Sequence, residues 1–572
     1  MTPAKLVPKS GDTVPALLLA SALRAPERPA LWRYVDVRFE PVGYGALMRA
    51  ADRIARQLQG RGIQRGQQVV LAITDRFTWA VAFLGVQFSG ATAVPVDPLL
   101  RPGEIVSIVK TAEAALLIHD GCIDIGDAGE VCATLTIDAI WPGFDGTGPL
   151  DGIRLPEVGA DDIAEIIFTS GTTGKMKGVM LSHGNLVGDI RAIDAMGLLN
   201  DHDMLLSILP IHHSFESTAG LLYPLSIGAQ VAYARSLKSN EIIADLRTTK
   251  ATIVLGVPLL FENIVNSINR KLKQAPPVKR RLVASLMALS RAGRKAGWST
   301  AGRTLLRNMR VKAGLDSIRL MVSGGAALPA HVAEFLDTIG LPLLQGYGLT
   351  ETSPVLTVNR PGKYRYDTVG PPLPDTEITI IDPGSDGIGE IAARGPMVMK
   401  GYWKMPEETA AVFRDGWLLT GDLGSIEPDG HVKISGRSKN IIVTGAGKNV
   451  YPEEIEALMV ARDEILELVV YGLTRPGKIG ETVAAVIVPD AEWYRENNPA
   501  TWQDETALFR DIERIVREEC EKLAPFKRIA SIEIRRDPFE KTSTRKIKRH
   551  LVTKGKSELY GSAATLWPRD RG

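Results

Sequence analysis

The run Thr169-Ser170-Gly171-Thr172-Thr173-Gly174-Lys175-Met176-Lys177-Gly178 gathers hydroxyls, glycine amides and two cations on one loop. Phosphate oxygens only accept hydrogen bonds, and a loop of this kind offers them donors and countercharge. It departs from the Walker A pattern, since no Gly-Lys-Ser/Thr closes it, so an ordinary P-loop nucleotide hydrolase is disfavoured. A plain Gly/Ser/Thr surface turn stays open on composition. Five more chemistry-bearing stretches follow in the chain: Ser323-Gly324-Gly325-Ala326-Ala327-Leu328, Gln345-Gly346-Tyr347-Gly348-Leu349-Thr350-Glu351, Thr420-Gly421-Asp422, Gly436-Arg437-Ser438-Lys439 and the lysine-rich segment 541–546. Gly324 and Gly325 let a flat ring approach the backbone, and Tyr347 offers an aromatic face or else a packed turn. Glu351 offers oxygen to a hard cation or stands as a solvated charge. Asp422 offers two acceptor oxygens and Arg437 a planar donor fork, and the two could equally form a structural ion pair.

In this order the motifs resemble those of the adenylate-forming superfamily, which contains acyl-CoA synthetases, luciferases and peptide-synthetase adenylation domains, and the resemblance covers nearly the whole chain. It implies that Thr169, Ser170, Gly171, Thr172, Thr173, Gly174, Lys175 and Lys177 bind the phosphates of ATP. It implies a base and nucleotide shelf at Gly324, Gly325, Ala326, Gln345, Gly346, Tyr347, Gly348 and Thr350, with Glu351 as the Mg2+ ligand and Thr350 and Glu351 in the catalytic set. Asp422 and Arg437 would take ribose hydroxyls and ribose or phosphate oxygens. Phe539-Glu540-Lys541-Thr542-Ser543-Thr544-Arg545-Lys546-Ile547 is similar to the family's C-terminal catalytic loop, so Lys546 matches the lysine that touches the reacting carboxylate and phosphate. Arg545 stands where a glycine is usual and Glu540 where a proline is common. Lys541, Arg545, Lys548 and Arg549 read as an exposed basic tail. Lys439 matches the hinge, and Gly445, Ala446 and Gly447 match a channel for the pantetheine arm of coenzyme A, with a plain glycine turn as the alternative.

The elements that must carry these residues follow from periodicity. Helical spacing over 47–58 and 79–88 alternates with apolar strands at 68–73, 91–96, 163–168, 253–256 and 318–323, a pattern that predicts a parallel sheet covered by helices. Short strands at 376–382, 389–394 and 431–435, separated by Pro and Gly turns, predict a small β-rich subdomain. Texture changes again at 436–440, ahead of a helix at 452–460. The expected fold is therefore α/β: a large N-terminal domain, 1–436, of layered mostly parallel sheets with helices plus the β-rich subdomain, then a smaller α+β C-terminal domain, 437–572. The resemblance makes this second domain mobile.

Composition narrows the function classes. Hydrophobic residues are 45% and charged residues 23%, the balance of a folded soluble protein. A net charge of +2 supplies no global field for nucleic acid. The three cysteines, Cys122, Cys132 and Cys520, have no zinc or disulfide spacing. The apolar stretch near the N-terminus is short and broken by Pro15 and Arg24, so a signal peptide is disfavoured and a cytoplasmic enzyme is expected.

Two stretches bear on the substrate. Leu209-Pro210-Ile211-His212-His213-Ser214-Phe215-Glu216 and Gly256-Val257-Pro258-Leu259-Leu260-Phe261-Glu262 look like segments of long-chain acyl-CoA synthetases. The resemblance puts His213 near the acyl carboxylate; a buried structural histidine is the other reading. The expected activity is ATP-dependent conversion of a long-chain fatty acid to an acyl adenylate, followed by transfer to coenzyme A. An acyl-adenylate or acyl-carrier-protein ligase is the nearest alternative, and a non-catalytic nucleotide-binding protein is the alternative of another class. The helical basic region 278–312 could touch anionic headgroups at the inner face of a membrane, although a solvated helix face is the commoner meaning of such a segment.

Overall fold

The computed structural model describes residues 12–141, 143–144, 149–170, 176–363, 365–445, 448–460, 462–474, 480–541, 546–553 and the backbone of 564–565. The chain divides into two compact units. The first comprises Met1–Ile378, Ala392–Leu418 and Pro428–Val432, and the second Thr379–Ile391, Leu419–Glu427 and Lys433–Gly572.

Two large sheets dominate the first unit. One has eight strands, with a parallel interior formed by Leu343–Tyr347, Leu320–Ser323, Ile253–Gly256, Met204–Ser207, Gln230–Tyr233 and Pro29–Val35 and an antiparallel strand at each edge. The other has seven, in which Ile163–Ser170, Thr92–Pro95, Gln68–Ala72, Leu116–His119 and Ala133–Thr136 run parallel. The helix Arg76–Ser89 lies between the sheets and is buried on almost all sides, which is why its sequence is apolar all round rather than on one stripe. Asp75 caps its start by accepting from Thr78 N at 2.8 Å, and Gly90 ends it in the left-handed conformation at φ +81°.

The β-rich stretch is a five-stranded sheet built from Glu377–Ile381, Gly389–Arg394, Trp417–Ile426, Phe413–Arg414 and Val432–Arg437. The region 278–312 folds as three helices, Pro277–Lys295, Ala301–Leu305 and Arg307–Ala313. In the second unit Ile465–Thr474, Glu481–Pro489 and Ser531–Ile534 form a sheet, and Pro452–Met459 and Glu505–Cys520 cover it over a core that includes Ile455, Val470, Ile487, Ile512 and Cys520. Among the described residues, no helix is long and apolar enough to cross a membrane.

Candidate active site

The loop at 169–178 is the tip of a hairpin. Ile163–Ser170 and Met176–Ser182 run antiparallel with Thr169 opposite Lys177, and Thr169 Oγ1 donates to Lys177 O at 3.4 Å. Gly171, Thr172, Thr173, Gly174 and Lys175 lie outside the described residues, and of Ser170 only the backbone is described. The short strand Gly401–Tyr402 pairs with the outer side of this hairpin, fixed by Lys400 N to Met180 O at 3.0 Å and Trp403 N to Gly178 O at 2.7 Å. That pairing brings Lys177 Nζ to 4.7 Å from the centroid of the Tyr402 ring, a cation–π contact. The Tyr402 hydroxyl donates to Glu351 Oε1 at 2.9 Å, and Met399 N donates to Glu351 O at 2.9 Å. Burial, then the Glu351 charge and hydrogen bond, hold the Tyr402 hydroxyl far above the ordinary phenol range, so it stays a donor throughout physiological pH. Tyr402 thus links the lysine of one motif to the carboxylate of another. No periodicity or spacing in the sequence marks it.

The residues expected to form the nucleotide shelf stand at strand ends. Gly256, Ser323 and Gln345 are in register across three parallel strands, so Gly324-Gly325 leave the sheet beside Gly346-Tyr347, the last two residues of their strand, at the C-terminal edge where open α/β sheets take ligands. Gly324 N donates to Gly256 O at 3.1 Å. A Cβ on Gly324 would sit 3.0 Å from the Phe215 ring, so the backbone is already pressed against an aromatic neighbour. Gly325 and Ala326 are exposed, Gln345 and Gly346 half-buried, and Tyr347 is buried, 9% exposed. Gly348 is steric in origin: a Cβ there would fall 1.8 Å from Pro354 O. Thr350 and Glu351 open the short turn Thr350–Thr352, whose Thr352 hydroxyl accepts from Leu349 N at 3.0 Å.

His213 follows the strand Met204–Ser207 and is half-buried, its ring centroid 4.4 Å from that of His212. His212 Nε2 lies 3.6 Å from Asp97 Oδ2, and Asp97, His212 and His213 each bring one donor atom within 4.8 Å of the others. Two imidazoles beside a carboxylate can hold a proton or direct a hydrogen bond at an incoming acid. A π-helix, Phe215–Leu222, begins at once, a form that recurs at functional sites. Phe215 carries the contact to Gly324, while the buried Glu216 accepts from the Ser207 hydroxyl. Burial pushes the Glu216 carboxyl up to about 7, against the opposing pull of Ser207 and of Arg76, whose guanidinium donates to Ser207 O at 3.1 Å. Of this stretch the sequence pattern marks His213 alone; Phe215 and Glu216 carry no signal in it.

The other candidates belong to the second unit. Asp422 is buried and accepts the Arg437 guanidinium, Nε to Oδ1 at 2.8 Å, so the two pair with each other. Thr420 Oγ1 accepts from Asp422 N at 3.1 Å and donates to Ile391 O at 2.7 Å, fixing the carboxylate's backbone. Lys439 is exposed in the short turn Ser438–Asn440. Gly445 is exposed in the loop after Ile442–Val443, where Thr444 N donates to Lys448 O at 3.0 Å; Ala446 and Gly447 lie outside the described residues. Lys546 is exposed beside the bridge between Lys541 and Ile547. Lys541 and Arg549 are no loose tail. Lys541 pairs with Glu467, and Arg549 Nη1 grips Glu456 at 2.7 and 2.8 Å, because two largely buried carboxylates need cations there. These pairs frame the stretch that carries Lys546.

The chain is similar to known proteins throughout its length. A family model described as AMP-binding enzyme matches residues 18–403. A long-chain-fatty-acid–CoA ligase of Mycobacterium bovis is 28% identical over 96% of each chain. A chloroplastic long-chain-fatty-acid–acyl-carrier-protein ligase of Arabidopsis thaliana is 26% identical over 96% of this chain and 86% of its own. Among solved structures, ATP-bound MatB from Rhodopseudomonas palustris superposes with a TM-score of 0.77 at 27% identity, covering 96% of this chain and all of that one.

Proposed function

The chain belongs to the AMP-binding enzyme family, and we propose that it activates a long-chain fatty acid with ATP and passes the acyl group to coenzyme A. A carboxylate is a poor electrophile, and a thiol will not displace oxide from it. Attack of the carboxylate oxygen on the α-phosphorus of ATP expels pyrophosphate and leaves an acyl adenylate; thiolate attack on its carbonyl then expels AMP and leaves the thioester. Both steps need negative charge to be neutralised where it converges.

In this reading the 169–178 loop and Lys177 steady the pyrophosphate, and Gly324, Gly325, Ala326, Gln345, Gly346, Tyr347 and Gly348 cradle the base. Asp422 and Arg437 meet the ribose, His213 meets the acid, and Lys546 lies along the bond being made. Glu351 suits Mg2+, because a carboxylate held by the Tyr402 hydroxyl is a hard, oriented oxygen donor. Mg2+ would neutralise polyphosphate charge. Lys439 serves as the hinge on which residues 437–572 turn between steps, bringing the 445–447 loop to the thiol's path. A cytoplasmic setting with peripheral contact to a membrane completes the proposal.

The observation that carries this reading is the chain of contacts from Lys177 through Tyr402 to Glu351, which joins two motifs far apart in sequence into one anion-and-cation site. Transfer to a carrier protein instead of free coenzyme A is the second reading, favoured by the similarity to the Arabidopsis ligase. A panel of acids offered with free coenzyme A and with carrier protein, following AMP and thioester together, tests both. AMP and acyl-CoA from fatty acids are expected. Thioester only on carrier protein would select the second reading, and no AMP with any acid would overturn both.

A further inference from the structure

Residues 263–315 hold thirteen Lys and Arg and no Asp or Glu, on a chain whose net charge is +2, so positive charge is segregated into this segment. The helix Pro277–Lys295 is its centre. Val283, Leu286 and Met287 pack against the core of the first unit, and the buried Ser290 hydroxyl donates to Thr338 O at 2.7 Å, so the helix cannot roll. Held that way, it turns Val278, Leu282 and Leu289 outward, 81%, 58% and 52% exposed. At about 100° per residue these three fall within about 40° of one another, a stripe extended by the small Ser285 and Ala292. Trp298 stands at the end of the helix, 43% exposed, its ring 3.1 Å from where a Cβ on Gly293 would lie. Lys279, Arg280, Arg281, Arg291 and Lys295 are all exposed on the same helix.

A merely solvated helix face mixes charge signs in pairs along its turns and keeps branched aliphatics out of water. This face does neither. Some of the segment's cations are structural: Arg294 pairs with Asp337, and the buried Arg310 donates to Ile339 O at 2.7 Å. The five exposed ones on the helix have no acidic neighbour in their own segment.

We propose that the helix Pro277–Lys295 docks in the plane of an anionic lipid surface. Val278, Leu282, Leu289 and Trp298 enter the boundary between headgroups and acyl chains, while the long basic side chains reach the lipid phosphates. Cations alone would suit nucleic acid as well; the apolar stripe and the terminal indole are what choose lipid. The inference deepens the fatty-acid reading, because long-chain acids partition into bilayers, but rests on it for purpose only. Its test therefore uses neither ATP nor acid.

The full chain is sedimented with phosphatidylcholine vesicles with and without phosphatidylglycerol, at low and high salt. Val278→Ser/Leu282→Ser/Leu289→Ser and Arg280→Glu/Arg281→Glu are compared with wild type, and circular dichroism melts confirm folding of each. Binding to anionic vesicles alone is expected, weakened by salt, and reduced about tenfold or more by either variant. Equal partition onto neutral vesicles, or wild-type binding by the charge-reversed or the apolar variant, overturns the proposal. So does oligonucleotide binding that replaces vesicle binding. A chain that bound vesicles yet activated no fatty acid would leave this proposal standing and remove the one above.

Discussion

A lysine that acts on one bond in one step has a signature that a structural lysine lacks. Lys546 is exposed, and Lys541 and Arg549 pair with Glu467 and Glu456. Lys546→Ala should leave these pairs intact and, in the role proposed for Lys546, remove charge where the carboxylate meets phosphate. Pyrophosphate release should fall about a hundredfold or more, in the range seen when one transition-state donor is lost, while transfer from supplied acyl adenylate stays near wild type. The half-reactions are measured separately, and equal loss in both would assign Lys546 to structure. A different residue makes stability depend on pH. Glu165, on the strand leading to the phosphate loop, is fully buried, and neither carboxylate oxygen has a hydrogen-bond partner among the described residues. Burial pushes its carboxyl up from 4.5 to about 8. The native chain then keeps a proton that the unfolded chain releases, so this group's stability contribution is fully present below pH 4.5 and fades as pH rises through about 8. Relative to Glu165→Gln, which has no such proton, wild type should lose stability between those values by at most about 1.4 kcal/mol per pH unit. Urea unfolding of both proteins from pH 5 to 9 reads the difference, and parallel curves would mean that Glu165 does not titrate as its burial requires.

At the scale of elements, the site depends on where strands stop. Gly348 ends the strand that carries Tyr347, and the chain doubles back so tightly that Pro354 O occupies the space of a side chain. Gly348→Ala must push that turn apart, moving Thr350 and Glu351 with it. ATP–pyrophosphate exchange should drop about tenfold or more, chiefly through a raised Mg-ATP requirement. A variant with an unchanged requirement would separate the turn from the metal site proposed at Glu351. The same scale explains what the sequence made legible. Glycine motifs at the ends of apolar strands declared their strands, and the strands at 253–256 and 389–394 needed no revision. Tyr402 was not legible, because its value lies in a two-residue strand pairing with a hairpin far away in sequence. Phe215 and Glu216 stand in the stretch 209–216, yet a π-helix leaves no period to read, and Glu216 matters only once Ser207 and Arg76 surround it. Lys541 and Arg549 misled as a tail because their buried partners, Glu467 and Glu456, stand on other elements.

For the whole molecule, the demand is that one acyl carbon meet two different sets of groups. In the proposed mechanism Lys546 serves the first step and the loop beginning at Gly445 the second, and both belong to the unit that includes Lys433–Gly572. The turn Ser438–Asn440 is where a rotation can be absorbed. Ser438 Oγ donates to Gly421 O at 3.1 Å and Asn440 Nδ2 to Glu453 Oε1 at 2.6 Å, which anchors both flanks of the exposed Lys439. Proline at 439 would fix φ near one value and restrict Ser438 before it, so a backbone that must visit two states keeps one. If adenylation uses the state proline retains, Lys439→Pro should leave pyrophosphate release close to wild type. Thioester formation from supplied adenylate should then fall at least about tenfold. Lys439→Ala, which keeps φ free, should spare both steps. That control separates rotation from charge: loss of transfer in the alanine variant would assign Lys439 a contact with substrate, and an equal fall of both steps in the proline variant would move the hinge elsewhere.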